Sequence, residues 1–421
     1  MMMQKPLAVF GLGISNLSVI KALAKDRRVL AWDDNQGQRD KAAALGAEIM
    51  RLDIDVLREC ECLVLAPGVP LHFPEPNPVV LAAREAGIEI ICDIELRYRM
   101  GWACRTIGIT GTNGKSTTTA LTGHVLNDCG ADSAIGGNIG VPIFDLAIPG
   151  ADGVLVLELS SYQLDLCPSF KPDIAVLLNL TPDHLDRHGD MDRYAAAKTQ
   201  MFEGAGVAVV TGEDEYSQGI IKTINTNAER VLQNLLVPSI IQETDTLKGA
   251  HNVQNMMASY AALIAAGLEK DLILSAFKTF PGLPHRQFLV RNIGDVAYVN
   301  DSKATNAEAT SKALGSFEDI YWILGGLAKD GGLNGLEPFL PRIKKAFVIG
   351  EDMDVFVPYL DKHGVEYALC GVMSEAVAQA HQAAQAAGGG VVLLSPATAS
   401  FDQYKNFELR GDDFVTVVEG L

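Results

Sequence analysis

A three-part α/β protein built on mostly parallel sheets is what this sequence predicts, and three observations carry that reading. Short apolar runs recur with no polar residue alternating inside them, as in Val154-Leu155-Val156-Leu157, which is the pattern of strands buried on both faces. Helix-like stretches separate the runs, so successive strands are joined by crossovers and lie parallel. With 421 residues the chain exceeds the size at which a single core keeps growing.

Leu7 to Gly11 enters the turn Gly11-Leu12-Gly13, a helix-like stretch runs to Ala24, and a second run, Val29 to Trp32, ends at Asp33-Asp34. This is a βαβ opening. Cys62 to Ala66 then leads into Pro67-Gly68, and Ile88 to Cys92 precedes a helical pattern from Asp93. A boundary falls between Arg97 and Cys104, because a fresh strand begins at Arg105. The middle part continues through Val154 to Leu157, Ile174 to Leu178 and Val207 to Val210. Proline and glycine cluster at Pro281 to Pro284 and mark a second boundary. The last part repeats the rhythm through Val296 to Asn300, Ile320 to Leu324, Ala346 to Ile349 and Val391 to Leu394. The domains are accordingly drawn as 1–96, 97–283 and 284–421.

A net charge of −18 argues against nonspecific nucleic-acid binding and against docking on anionic membranes, both of which want a basic face. No apolar stretch approaches the roughly 18 residues of a membrane span, and Met1 to Ala8 carries no long apolar leader segment. The seven cysteines are scattered without a Cys-x-x-Cys pair, so they are expected as small, mostly buried apolar residues in a reducing compartment. The protein is read as cytoplasmic.

The richest segment is Thr110-Gly111-Thr112-Asn113-Gly114-Lys115-Ser116-Thr117. Gly111 and Gly114 let backbone N–H groups turn toward phosphate oxygens, Lys115 reaches the terminal phosphates, and the Ser116 hydroxyl suits Mg²⁺. A strict phosphate loop has glycine where Ile109 stands, so this is a variant. Gly11-Leu12-Gly13 lacks the third glycine of a dinucleotide fingerprint, although Asp33 lies at the right distance for a ribose hydroxyl. A nucleotide or diphosphate site and a structural turn both remain open there. Polar residues also fall at strand ends. Glu158 closes one run and is suited to Mg²⁺ beside phosphates. His184 follows another and suits a metal or a phosphate, and Asn138 sits among glycines that allow close ligand approach.

Read in order, the phosphate loop, Gly136-Gly137-Asn138-Ile139-Gly140, Glu158-Leu159-Ser160-Ser161-Tyr162-Gln163-Leu164, Asp183-His184-Leu185-Asp186-Arg187-His188, residues 249–255, His285-Arg286, residues 301–306 and residues 395–402 resemble the Mur ligase family. The likeness spans nearly the whole chain and is narrowest toward the branch that joins D-glutamate to UDP-N-acetylmuramoyl-L-alanine. It implies an N-terminal Rossmann-like domain for the UDP end, a central P-loop ATPase-like domain for ATP, and a C-terminal Rossmann-like domain for the amino acid. The implied reaction transfers the γ-phosphoryl group of ATP to a substrate carboxylate, giving an acyl phosphate that the amine of glutamate attacks.

The same resemblance assigns residues. Lys115, His184 and Lys198 are the implied catalytic groups. Ser116 and Glu158 are implied for one Mg²⁺, and His184 with a CO₂-carbamylated Lys198 for a second; without the resemblance, Lys198 reads as a solvated helix residue. Gly111, Thr112, Asn113, Gly114, Thr117, Asn255, Arg286, Asp301 and Lys329 surround ATP. Ser15, Asp33, Asp34, Gly68, Asn138 and Ser160 meet the UDP substrate, and Lys303, Thr305, Ser400 and Phe407 hold D-glutamate. The expected partners are these small molecules, with no nucleic acid, no membrane insertion and a monomeric chain. One departure concerns Gly325-Gly326-Leu327-Ala328-Lys329-Asp330, where the family commonly has an acidic residue between the glycine pair and the lysine. A folylpolyglutamate synthetase-like ligase and a nonenzymatic nucleotide switch are the alternatives.

Overall fold

The computed structural model describes residues 5–224, 244, 246–247, 249–328, 332–351 and 353–421. Its strands form three sheets. In the first, β1 (Leu7–Phe10), β2 (Val29–Trp32), β3 (Glu48–Ile49), β4 (Cys62–Leu65) and β5 (Glu89–Ile91) lie in the order β3-β2-β1-β4-β5, every pair parallel. In the second, β6 (Arg105–Thr110), β7 (Ser133–Gly137), β8 (Val154–Glu158), β9 (Ile174–Leu177) and β10 (Val207–Val210) take the order β10-β9-β6-β8-β7, again all parallel. The third orders β11 (Phe288–Ile293), β12 (Val296–Asn300), β13 (Ile320–Gly325), β14 (Ile343–Ile349), β15 (Tyr367–Gly371) and β16 (Gly390–Leu394) as β11-β12-β16-β13-β14-β15. Only β11 runs antiparallel, against β12.

The apolar runs account for the interiors of these sheets. β4, β8 and β9 are buried at every position, so each faces covering helices on both sides. One core cluster draws on Leu63 and Leu65 of the first sheet together with Leu155, Leu157 and Leu177 of the second. Two compact units result: Met1–Val237 with Gln254–Lys278, and Pro238–Val253 with Thr279–Leu421. The first holds two sheets and the second holds one.

Four strands, β3, β7, β11 and β15, were not delimited by the apolar runs, and all four lie at sheet edges. Of the seven cysteines, Cys60, Cys62, Cys92, Cys104 and Cys167 are buried and none is in a disulfide, as expected of small apolar residues. Among the described residues no helix is long and apolar enough to cross a membrane.

Candidate active site

β6 is the central strand of the second sheet, with β8 on one side and β9 on the other, so the polar residues at these three C-terminal ends lie at one edge of the sheet, where ligands bind in such folds. The phosphate loop leaves β6 and enters the helix Lys115–Asp128, whose N-cap is Gly114. Two glycines are required here by geometry. Gly111 has φ +153°, and a Cβ on it would lie 2.9 Å from that of Leu178; Gly114 has φ +89°, and a Cβ would fall 2.2 Å from Asn255 Oδ1. The loop is braced from β9: Thr112 N donates to Asn179 O at 2.9 Å, and Asn113 N to Asn179 Oδ1 at 2.8 Å. The Lys115 ammonium folds over the loop, donating to the carbonyls of Gly111 and Thr112 at 2.8 Å each. Ser116, at the first turn of the helix, is buried.

Lys198 corrects the reading made from local sequence. It is 1% exposed rather than solvated, and its Nζ donates to Gly111 O at 2.9 Å and to Thr110 Oγ1 at 3.2 Å. Helix Met191–Thr199 carries it, packing Tyr194 and Lys198 inward. The Tyr194 hydroxyl lies 3.0 Å from Thr112 Oγ1, and the Lys198 ammonium 4.9 Å from the Tyr194 ring centroid. Burial, then the neighbouring Lys115 charge, holds the Lys198 amine well below the ordinary lysine range.

Glu158, at the end of β8, is 2% exposed. Its Oε1 accepts from Asn138 Nδ2 at 2.9 Å, while its Oε2 is buried with no hydrogen-bond partner. An anionic oxygen left in that state fits a cation ligand. Beyond β9, His184 adopts φ +53° and caps a short helix, with its Nδ1 3.0 Å from the Tyr162 hydroxyl. Burial lowers its pKa, against the pull of Asp183 and with help from Lys115 and Lys198. Ser160 serves its own segment as N-cap in a capping box with Gln163. Among the described residues no three His, Cys, Asp or Glu side chains gather into a metal cluster. Any ion here takes its remaining ligands from other donors.

In the first sheet, Asp33 ties the glycine turn to β2: Leu12 N donates to its Oδ2 at 2.6 Å and Asn35 N to its Oδ1 at 2.8 Å. Ser15 is half-buried nearby in sequence, and Asp34 and Gly68 are exposed at the ends of β2 and β4. In the second unit, Asp301 is buried at the end of β12, accepting from Gln287 N at 3.1 Å and from Ser395 Oγ at 2.7 Å; burial pushes its pKa up to about 7. The Lys303 ammonium lies 3.9 Å from the Phe407 ring centroid. Ser400 is buried, Thr305 is half-buried, and Arg286 follows Leu283 in an isolated bridge. Asn255 is buried against the phosphate loop, where its Oδ1 accepts from Thr118 Oγ1 at 3.3 Å. Lys329 lies outside the described residues.

Several participants escaped the sequence reading. Tyr162 stood inside a quoted motif but carried no role, and Asn179 directly follows the apolar run Ile174 to Leu178. Tyr194 shares a helical face with Lys198, four residues on, which is the available signal. Arg410 is buried and donates to Ser302 Oγ, Ser302 O, Gly325 O and Thr398 O, binding together three strand-end segments of the second unit.

Comparison with known proteins agrees with this geometry. Residues 109–235 match the Mur ligase middle domain. A UDP-N-acetylmuramoylalanine–D-glutamate ligase of Agrobacterium fabrum is 45% identical over 99% of this chain and 95% of its own length. Among solved structures, a UDP-N-acetylmuramate–alanine ligase from Thermotoga maritima superposes with a TM-score of 0.59 at 17% identity, covering 99% of both chains. A bifunctional folylpolyglutamate synthase/dihydrofolate synthase from Yersinia pestis gives a TM-score of 0.54 at 15% identity over 77% of this chain and 92% of that one. The structures establish the fold and the full-length relative establishes descent: this chain belongs to the Mur ligase family.

Proposed function

We propose that the chain is an ATP-dependent, ADP-forming ligase that joins D-glutamate to UDP-N-acetylmuramoyl-L-alanine, working as a cytoplasmic monomer in peptidoglycan precursor synthesis. The fold is shared with a folylpolyglutamate synthase, so the substrate assignment rests on the full-length likeness to D-glutamate ligases. Residues 1–96 would take the UDP end, 97–283 ATP, and 284–421 the amino acid.

The observation that carries the reading is the meeting of a phosphate loop, a buried carboxylate with one unpartnered oxygen and a buried lysine at the ends of β6 and β8 and on the helix behind them. Lys115 neutralises the terminal phosphates while the substrate carboxylate, itself an anion, attacks the γ-phosphorus. Loop amides and Gly114 would fix the triphosphate beside Thr117 and Asn255, and Arg286, Asp301 and Lys329 are its further proposed ATP ligands. Mg²⁺, when bound, screens the phosphate charge; Ser116 and Glu158 Oε2 would hold one ion, and His184 with Lys198 a second. The depressed pKa of Lys198 favours the neutral amine, the form that would add CO₂ and release a proton to become an anionic carbamate. Ser15, Asp33, Asp34, Gly68, Asn138 and Ser160 would bind the UDP substrate. Lys303 and Thr305 would take a glutamate carboxylate, with Ser400 and Phe407 forming the rest of its pocket.

Phosphate release is the test. It should require UDP-N-acetylmuramoyl-L-alanine, ATP and D-glutamate together and vanish in Lys115→Ala. Release independent of D-glutamate, or near-normal turnover in Lys115→Ala, would sink the reading.

A further inference from the structure

Arg187 has no role in the chemistry above, yet its setting is unusual for a surface helix cation. It is 6% exposed, its Nη2 donates to Val69 O at 3.1 Å, and its Nε and Nη1 are buried without a hydrogen-bond partner. The guanidinium carbon sits 5.2 Å from the centroid of the Tyr162 ring. The Tyr162 hydroxyl in turn lies 3.0 Å from His184 Nδ1, and the Tyr162 and His184 ring centroids are 5.0 Å apart. Three strand ends are thereby joined: Val69 follows β4, Tyr162 follows β8, and His184 and Arg187 follow β9.

A buried guanidinium with two unpartnered nitrogens is costly, and such a group persists where it fixes a geometry rather than where it adds stability. Here the geometry it fixes runs in one direction. The Pro67–Val69 turn anchors Arg187, Arg187 seats the Tyr162 ring, and the Tyr162 hydroxyl orients the imidazole through Nδ1, while Nε2 lies 3.4 Å from Asp183 Oδ2. We infer that Tyr162 and Arg187 are a positioning pair that ties the Pro67–Val69 turn of the first sheet to the His184 imidazole, so that the UDP-sugar turn and the phosphoryl-transfer site are set in register. The inference rests on the ligase reading proposed above.

Two variants divide the pair's work. Tyr162→Phe keeps the ring under the guanidinium and removes only the hydroxyl, so kcat should fall about tenfold with KM for the UDP substrate unchanged. Arg187→Lys keeps charge but loses the planar contact and the fixed reach to Val69 O, so KM for the UDP substrate should rise about tenfold while KM for D-glutamate stays. A metal-free readout accompanies them. In ¹⁵N-histidine spectra of the unliganded protein, the His184 nitrogens should report one fixed tautomer in the parent and averaged shifts in Tyr162→Phe. Unchanged kcat and unchanged His184 shifts in Tyr162→Phe would overturn the pair, as would an Arg187→Lys variant whose KM values for all three substrates rise alike. Thermal unfolding of both variants separates these outcomes from misfolding, and Tyr162→Phe, which adds no volume, keeps the test decisive should Arg187→Lys not fold. A parent enzyme inactive on the UDP substrate would instead defeat the ligase reading, leaving the His184 spectra to judge the pair.

Discussion

Lys198 and Asp301 show what burial does to a charged residue when no full counter-charge is supplied. Lys198 is surrounded by a carbonyl, a hydroxyl and an aromatic face, with Lys115 near enough to disfavour its ammonium form further. If its neutral amine becomes a carbamate, Lys198→Arg keeps length and charge but loses that chemistry. Turnover should then drop by at least about 10²-fold at every bicarbonate concentration, while the parent's rate rises with bicarbonate. A bicarbonate titration of both proteins checks this, and a fully active Lys198→Arg would contradict it. Asp301 is shifted in the opposite sense, its folded-state pKa of about 7 lying above an unfolded value of about 3.9. Between these values the folded protein keeps a proton that the unfolded chain has lost. Its contribution is therefore full below about pH 4, declines as pH rises to about 7, and stays lost above, with a slope of up to about 1.4 kcal/mol per pH unit. Asp301→Asn should flatten that slope, so its unfolding midpoint relative to the parent should climb between pH 5 and 7.5. Parallel midpoint curves for the two proteins would refute the assignment.

Among the elements, the phosphate loop is the most constrained. Gly114→Ala places a methyl 2.2 Å from Asn255 Oδ1 at a left-handed φ, so the turn must open. It should cost on the order of 1–3 kcal/mol of local stability and raise KM for ATP more than KM for D-glutamate, as steady-state kinetics would show. Equal KM values in variant and parent would remove the loop from ATP binding. This loop was legible because glycine, lysine and serine must sit at fixed offsets for their backbone to meet phosphate. The interior strands were legible because burial on both faces demands unbroken apolar runs, as in Val154–Leu157 and Ile174–Leu177. β11 was not, because an edge strand is half solvated: its Phe-Leu-Val-Arg-Asn-Ile sequence contains no fully buried residue. β15, with Tyr-Ala-Leu-Cys-Gly, is hidden for the same reason. The burial of Lys198 left no local trace either, since it depends on the helix Met191–Thr199 meeting the end of β6. The Tyr162–His184 contact likewise spans 22 residues and exists only once β8 and β9 flank β6.

At the scale of the whole molecule, the proposed reaction must bring one amine to one activated carboxyl, and orientation supplies much of the rate. D-Glutamate should therefore be turned over at least about 10²-fold faster than L-glutamate, because the wrong enantiomer anchored by both carboxylates directs its amine elsewhere. Product formation measured with each enantiomer checks this, and comparable rates would show that Lys303, Thr305, Ser400 and Phe407 do not form the pocket. In the proposed reaction the substrate carboxylate is phosphorylated before the amide forms. In that sequence one carboxylate oxygen becomes the bridge to phosphorus and departs with phosphate when the glutamate amine attacks the carbonyl carbon. With UDP-N-acetylmuramoyl-L-alanine carrying ¹⁸O in its terminal carboxylate, mass spectrometry of the released phosphate should find one labelled oxygen per turnover, and the product amide should retain the other. Inorganic phosphate free of ¹⁸O, formed together with the amide, would contradict an acyl phosphate and with it the chemistry assigned to this site.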